Sequence, residues 1–552
     1  MGMASVFVRG SKQPVCRVMR KSSSHPDIRL FKLRPLPLMN WRVLFLGILT
    51  ALPWTLPANA ADSVGPAKAP RKNILFLVSD DLNNRLACYG DAQVRTPNLD
   101  KLAARGTLFE RAYCSYPLCG PSRNSLFTGL YPNSTGVFVN GQIFRQTIPN
   151  HVSMPQLFRQ NGYLAARVGK IYHFNVPKSI GTDGHDDPAS WEIEANPAGV
   201  DRTIEEPDIF SLVPGQFGGT LSWYASPRED RLHTDGLNAS DAEWILERCA
   251  RDRSRPFFLA LGFFRPHTPY VSPKPYFDKY PEAEMPLVQN VKEDQADIPR
   301  PALGSAKKEQ EQLTDPLRRQ AVQAYFASIS FMDAQLGRVV DTLDRLKLAE
   351  DTIIVFTSDH GYHLGEHGLW QKMSLFEESA RIPLIVVAPG AVKGTRVATP
   401  VSHVDLLPTL AELCGVKPSS MVQGQSLVPM LKDASAKGRG WALTQVMRGS
   451  NGLGKVAPRS DAGSDGKRFF GYSLRTERWR YTEWDEGRSG RELYDHTVDP
   501  KELTNLSGDA AQAGTLDDLA KQLRSAIAST LPPSGETPQI KEGGLWAPQF
   551  IE

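Results

Sequence analysis

Apolar residues run without interruption through NILFLVSDD, residues 73–81, and stop at a pair of acids. That is the pattern of a strand covered on both faces. PFFLALGFFRPH (256–267), TIIVFTSDHG (352–361) and IPLIVVAPG (382–390) repeat it. Between the second and third of these, Val322, Phe326, Ile329, Met332, Leu336, Val339, Leu343 and Leu346 recur every three or four positions. The spacing predicts the core face of a long helix, from about Leu317 to Leu348. Buried strands alternating with helices predict an α/β fold, a large, mostly parallel sheet flanked by helices. Ligands bind such sheets at the carboxyl ends of the strands, and the polar residues there are Asp80, Asp81, His267, Asp359 and His360.

The texture changes beyond about residue 435. A Gly/Ser/Lys-rich connection leads into GYSLRTERWRYTEW, where aromatic residues and Arg/Thr alternate as in two solvent-facing antiparallel strands. TLDDLAKQLRSAIAST then reads as a short helix. The expected organisation is a main domain over residues 61–435 and a smaller C-terminal α+β subdomain over 436–552, with no internal repeat. A chain of 552 residues, 41% hydrophobic and 22% charged, is large enough for both.

The N-terminus reads differently. MNWRVLFLGILTALPWTLPANAAD carries Arg42, an apolar run from Val43 to Leu56 and a small-x-small ending at Ala58 and Ala60, the layout of a signal peptide cleaved after Ala60. The run is broken by Pro53 and Thr55 and is shorter than the about 20 apolar residues of a bilayer span. An exported protein, periplasmic or secreted, with no stable membrane span after cleavage is therefore expected. The signal occupies about residues 39–60, which makes residues 1–38 an upstream extension, or Met39 the true start. Residues 1–60 hold nine Lys/Arg against one acid, so the formal charge of +4 becomes −4 once they are removed, and nothing in the balance argues for nucleic acid. Five cysteines remain, Cys88, Cys114, Cys119, Cys249 and Cys414. The number is odd and no C-x-x-C pair occurs, so at least one thiol stays outside any disulfide set and a structural zinc cluster is not expected.

Acids that end strands can simply cap the helix that follows. Two such motifs from two strands, SDD and SDH, can instead converge on one cation. Three carboxylates suit Ca²⁺ or Mg²⁺, whereas His360 is more at home on zinc or manganese. Arg123, Lys170, His173, His267 and Lys372 are singly read as surface charges or core histidines. Beside a dication they would line a pocket for a compact tetrahedral anion. HLGEH at His363–His367 fits an inverted zinc-peptidase pattern, but that pattern needs a helix, and Gly361, Gly365 and Gly368 oppose one at about 1 kcal/mol each.

In order, SDDLN, CGPSRNSLFTGLYP, GKIYH, RPHTPY, SDHGYHLGEHGLWQK and ELYDHTVDPKELTNL resemble the sulfatase family of the alkaline-phosphatase-like superfamily, from about Lys72 to Leu506. GKIYH and SDHG are most similar to iduronate-2-sulfatases and their bacterial relatives. The resemblance implies that Cys119 is converted to 3-oxoalanine (formylglycine) by a formylglycine-generating enzyme reading CGPSR, and that one oxygen of the hydrated aldehyde attacks sulfur. It implies one Ca²⁺ held by Asp80, Asp81, Asp359, His360 and modified Cys119. Arg123 and Lys170 would hold the diol, His173 would move its proton, and His267 and Lys372 would contact sulfate and protonate the leaving oxygen. The implied substrate is a sulfated sugar or polysaccharide. The alternatives are a phosphodiester or phosphonate monoester hydrolase of the same superfamily, and an inactive carbohydrate-binding relative. Many sulfatases carry Asn where His360 stands and a one-residue gap where this chain reads KIYH.

Overall fold

The structure, a computed structural model, describes residues 71–449 and 468–541; the leader expected over residues 1–60 lies outside them. In chain order the elements that matter here are β1 (Asn73–Ser79), β2 (Thr107–Phe109), α1 (Cys119–Thr128), β3 (Leu164–Gly169), β4 (Ile193–Ala195), α2 (Thr234–Arg251), β5 (Phe257–Phe263), α3 (Asp315–Arg345), β6 (Thr352–Ser358), β7 (Leu384–Val387) and β8 (Thr395–Val397). After these come β9 (Trp441–Arg448), β10 (Phe469–Thr476), β11 (Trp479–Trp484), β12 (Arg491–Asp495) and α4 (Ala513–Ser529).

Eight strands form the large sheet, in the order β8-β2-β7-β6-β1-β5-β3-β4. The uninterrupted apolar runs have the cause expected of them, since both faces are covered. Leu75 and Leu77 of β1 point with Leu259, Leu261, Ile354 and Phe356 into a core shared with α2 and α3. Ile74, Phe76 and Val78 point with Phe258, Ala260, Ile353 and Val355 into a second core under α1. The sheet is mixed rather than uniform: β7, read from sequence as a fourth strand of the same kind, pairs antiparallel with both β6 and β2. The predicted long helix is α3. Thr314 accepts a hydrogen bond from the Leu317 N–H and so caps its start, and Pro316 occupies the first turn, where a missing N–H costs nothing.

Strand register decides where the polar ends meet. Ser79 lies opposite Ser358 and Phe263, and Gly169 opposite Gly262, all in parallel pairs. The residues that follow β1, β6, β5 and β3 therefore leave the sheet along one edge.

A second, four-stranded antiparallel sheet runs β9-β10-β11-β12. Its hairpin strands are not solvent-facing as the alternation suggested. Leu443, Leu474, Tyr481 and Leu493 pack on Leu519 and Leu523 of α4. On the opposite side, Val446, Trp484 and Tyr494 pack on Leu369, Leu375 and Phe376 of the large body. The Arg and Thr positions are also covered, because Arg475 and Arg480 find buried carboxylates. Cys88, Cys114, Cys119, Cys249 and Cys414 are free thiols. His363 lies in a two-residue strand paired with Trp370–Gln371, and no α-helix carries His363 and His367 together.

Candidate active site

Cys119 is the first residue of α1, so its side chain sits at the positive end of a helix. Leu118 provides no side-chain cap. The Gly120 N–H is instead taken by Asn140 Oδ1 at 2.9 Å. A Cβ at Gly120 would lie 2.9 Å from Asn140 Cα, so this approach needs glycine. Asn140 carries no local sequence signal and escaped the sequence reading.

Three groups surround the Cys119 sulfur. Lys372 Nζ lies 3.1 Å away, His360 Nε2 3.4 Å and Asp81 Oδ1 3.8 Å. Lys372 also donates to Asp81 Oδ1 at 2.5 Å. His267 Nε2 stands 3.8 Å from Asp81 Oδ2. Asp359 joins by accepting the Asp81 N–H at 3.1 Å, and His360 Nε2 lies 3.6 Å from Asp359 Oδ2. One ligand atom from each of Asp81, Cys119, Asp359 and His360 falls within a single 4.8 Å cluster, and so does one from each of Asp80, Asp81, Cys119 and His267.

Arg123 lies behind this cluster, fully buried. Its Nε donates to Asp359 Oδ2 at 3.0 Å and its Nη2 to Asp80 Oδ1 at 2.9 Å. Its Nη1 is held by the carbonyls of Lys170 and Ile171. Lys170 Nζ pairs with the other oxygen of Asp80. The two cations thus fix Asp80 and Asp359 from below rather than lining open space. His173 is set farther out: its Nε2 lies 3.2 Å from Asn175 Oδ1, its Nδ1 is buried without a partner, and its ring packs on His185. His185 belongs to the segment 181–203. Asp186 and Asp187 of that segment are spent on buried pairs with Arg167 and Arg145.

Proton affinities follow from this arrangement. Burial works against the Asp80 carboxylate, but Lys170, His267 and Arg123 hold it well below the usual carboxylate range. Burial pushes Asp81 up to about 7 despite Lys372. Burial lowers His360, yet Asp359, Cys119 and Asp81 carry it up to about 9. His267 and His173 are kept neutral by burial, with Lys372 acting on the first and Lys170 on the second. Burial raises the Cys119 thiol, but Lys170 and Lys372 more than offset it, so the thiol is more acidic than usual.

One observation supports a fit between these acids and a cation: Asp81 Oδ2 is buried with no hydrogen-bond partner. An oxygen-rich set of three carboxylates is the donor chemistry of a hard divalent ion.

A second supporting residue was missed in the sequence. Tyr325, on the core face of α3, donates to the Asp81 carbonyl at 2.7 Å and accepts the Asn83 N–H at 3.0 Å. Asp81 has φ of +64°, left-handed backbone that a non-glycine residue adopts only when its surroundings enforce it. The only sequence signal was a phenol on an otherwise apolar stripe.

The Sulfatase family model matches residues 72–416. The chain is 31% identical over 502 residues to a sulfatase of Formosa agariphila, covering 87% of this chain and 90% of that one. It is 30% identical over 558 residues to iduronate 2-sulfatase of Mus musculus, covering 88% and 99%. Among solved structures it resembles the phosphonate monoester hydrolase of Agrobacterium radiobacter, at 25% identity and a TM-score of 0.68, covering 84% of this chain and 96% of that one. It shares its fold, at 22% identity and a TM-score of 0.64, with a protein solved in complex with its substrate D-glucosamine-2-N,6-O-disulfate, covering 83% and 98%.

Proposed function

Since the chain belongs to the sulfatase family and is a sulfuric ester hydrolase, we propose that it is an exported, formylglycine-dependent enzyme acting on a sulfate ester of an acidic sugar. The observation that carries this reading is the position of Cys119. Its side chain stands within 4 Å of Lys372, His360 and Asp81 at the positive end of a helix.

The thiol is a precursor in this reading. Conversion to formylglycine requires a generating enzyme that reads CGPSR. The hydrated aldehyde supplies a nucleophilic oxygen and, on re-forming the aldehyde, a way for sulfate to leave without attack by water on a stable ester. Asp80, Asp81, Asp359 and His360 would hold Ca²⁺ with that oxygen. The ion would supply Lewis-acid polarisation of the sulfate and a lowered pKa for the bound hydroxyl.

The chain's own groups do the rest. Arg123 and Lys170 keep Asp80 ionised, and Arg123 also orients Asp359, so the cation site is ready before substrate arrives. Lys372, held charged by Asp81, offsets the negative charge that builds on sulfate. His267 is neutral and faces Asp81 with Nε2; once protonated there, it would donate to a sulfate oxygen or to the leaving oxygen. His173, also neutral, would take the diol proton.

The phosphonate monoester hydrolase likeness favours one second reading, hydrolysis of phosphodiesters or phosphonate monoesters in the same pocket. Two measurements test the proposal. Mass spectrometry of the tryptic peptide 112–123 from an exporting host should show a loss of about 18 Da, cysteine replaced by its aldehyde. Turnover of a sulfate ester and of a phosphodiester with the same leaving group should favour the sulfate, and Cys119→Ala should abolish it. Intact cysteine, or preference for the phosphodiester by orders of magnitude, overturns the reading.

A further inference from the structure

Lys307 lies outside every motif that marked the site, and its ammonium reaches between the two loops that carry His267 and Lys372. Its backbone N–H donates to Gln310 Oε1 at 3.1 Å, which starts a short helical turn at Lys308–Gln312 and turns the side chain inward. Lys307 Nζ then donates to Gln371 Oε1 at 2.5 Å and to the Gly219 carbonyl. Gln371 precedes Lys372, whose own ammonium is 2.5 Å from Asp81 and 3.1 Å from the Cys119 sulfur. Gly219 follows Gly218, whose carbonyl accepts a 2.6 Å hydrogen bond from Thr268 Oγ1, beside His267.

Both acceptors are neutral. An ammonium has three donors, and two are used here, neither on a carboxylate. Glu309 and Asp81 act on it only through space, while burial and Lys372 push it down to about 8. Several other buried cations are matched by acids, Arg123 by Asp80 and Asp359, Arg145 by Asp187, and Arg480 by Glu377 and Glu502, whereas Arg448, away from the Cys119 cluster, is held by the carbonyls of Pro301, Met447 and Met373. A half-buried cation that the fold leaves without an acid is a cost to stability and a gain for binding an anion that arrives with the substrate.

We propose that Lys307 is a specificity residue, recognising a second anionic substituent of the substrate, a sugar carboxylate or a further sulfate, beside the sulfate that is hydrolysed. This rests on the sulfatase reading above. A sulfated uronic acid or a disulfated amino sugar would place one anion against Lys372 and His267 and the other against Lys307. A substrate with one sulfate and no other charge would leave Lys307 as it is now.

The test compares wild type, Lys307→Met, which keeps the aliphatic stem, and Lys307→Arg, which keeps the charge. The substrates are 4-methylumbelliferyl sulfate, a 2-sulfated iduronide of 4-methylumbelliferone and an N,6-disulfated glucosamine. The expected result is a KM raised roughly tenfold or more by Lys307→Met for one of the doubly charged sugars, with kcat nearly unchanged, recovery in Lys307→Arg, and little effect on the aryl sulfate. The doubly charged substrate that responds identifies the carboxylate or the sulfate as the anion recognised. Equal losses on all substrates would make Lys307 a brace between the two loops and overturn the proposal, as would no loss on either sugar. If wild type releases no sulfate from any of them, the proposed function fails instead. Calorimetric binding of glucuronate and of glucosamine 6-sulfate then decides Lys307 by itself: weaker binding of either by Lys307→Met upholds anion recognition, and equal binding refutes it.

Discussion

Tyr325 shows how a single atom far along the chain serves the site. Its hydroxyl closes the left-handed turn at Asp81 by bonding the Asp81 carbonyl and the Asn83 N–H. Tyr325→Phe leaves both buried groups unpaired, which costs about 1–3 kcal/mol. Because the same turn aims the Asp81 carboxylate, kcat/KM is expected to fall roughly tenfold or more. Urea unfolding and kinetics on one preparation check both parts; lost stability with unchanged kcat/KM would confine Tyr325 to the fold. The residue also marks where sequence reading stops. Asp80, Asp81, Asp359, His360 and His267 were legible as a converging set because each directly follows an apolar strand, and parallel register brings such ends together. Lys372 and Lys170 were legible only through the family motifs. Tyr325, Asn140 and Lys307 reach the site across 242, 20 and 64 positions of chain, and no local pattern encodes contacts of that kind.

Among the elements, β1, β5 and β6 were legible because burial on both faces makes every position apolar, and α3 because one face alone is buried. The three-residue strands β2, β4 and β8 are too short for any period to register, and the antiparallel direction of β7 depends on how the chain returns rather than on its own composition. The second sheet was recognisable as strands but not as buried. Its Arg, Thr and Glu positions look solvated until their partners are known. Glu492 of β12 is an example: its carboxylate accepts from Trp484 Nε1 at 2.6 Å and from the Tyr494 hydroxyl at 3.0 Å. Burial drives it up from 4.5 to about 7, against both hydrogen bonds. The native state thus holds a proton that the unfolded chain releases above pH 4.5. This contribution to stability is complete below that pH and is lost as pH rises through 7, at about 1.4 kcal/mol per unit. Glu492→Gln removes the titration, so the variant's stability relative to wild type should climb between pH 5 and pH 8, by about 3 kcal/mol at most. Urea unfolding across that range measures the difference, and a gap that does not change with pH would show that Glu492 is ionised in the folded protein.

The two sheets meet through charge as well as through apolar packing, and Arg480 of β11 is the centre of that joint. Its guanidinium pairs with Glu377 and with Glu502, and its Nη1 donates to the Leu375 carbonyl at 3.0 Å. Glu377 also accepts from the Tyr113 hydroxyl at 2.9 Å, and its N–H donates to Glu502 at 2.9 Å. Leu375 and Glu377 belong to the segment that begins at Lys372, so the second sheet braces the strand of chain that presents a cation to Cys119. Burial opposes ionisation of Glu502, but Arg480 and His496 lower it to about 2, and Arg475 and Arg480 likewise hold Glu377 low. Carboxylates of this kind add stability above their unfolded pKa, near 4.5, and lose it only as pH falls through the folded value. Arg480→Met reverses the sign. Two buried carboxylates lose a counter-charge, at a cost of about 3–5 kcal/mol, and regain neutrality only by taking up protons. The destabilisation should therefore be larger at pH 7 than at pH 4, and kcat should fall with it as the Lys372 segment loosens. Unfolding of wild type and variant at both pH values gives the comparison. A loss of equal size at each would mean that Arg480 holds the sheets together by its bulk, and that the charges on Glu377 and Glu502 play no part in joining the second sheet to the catalytic body.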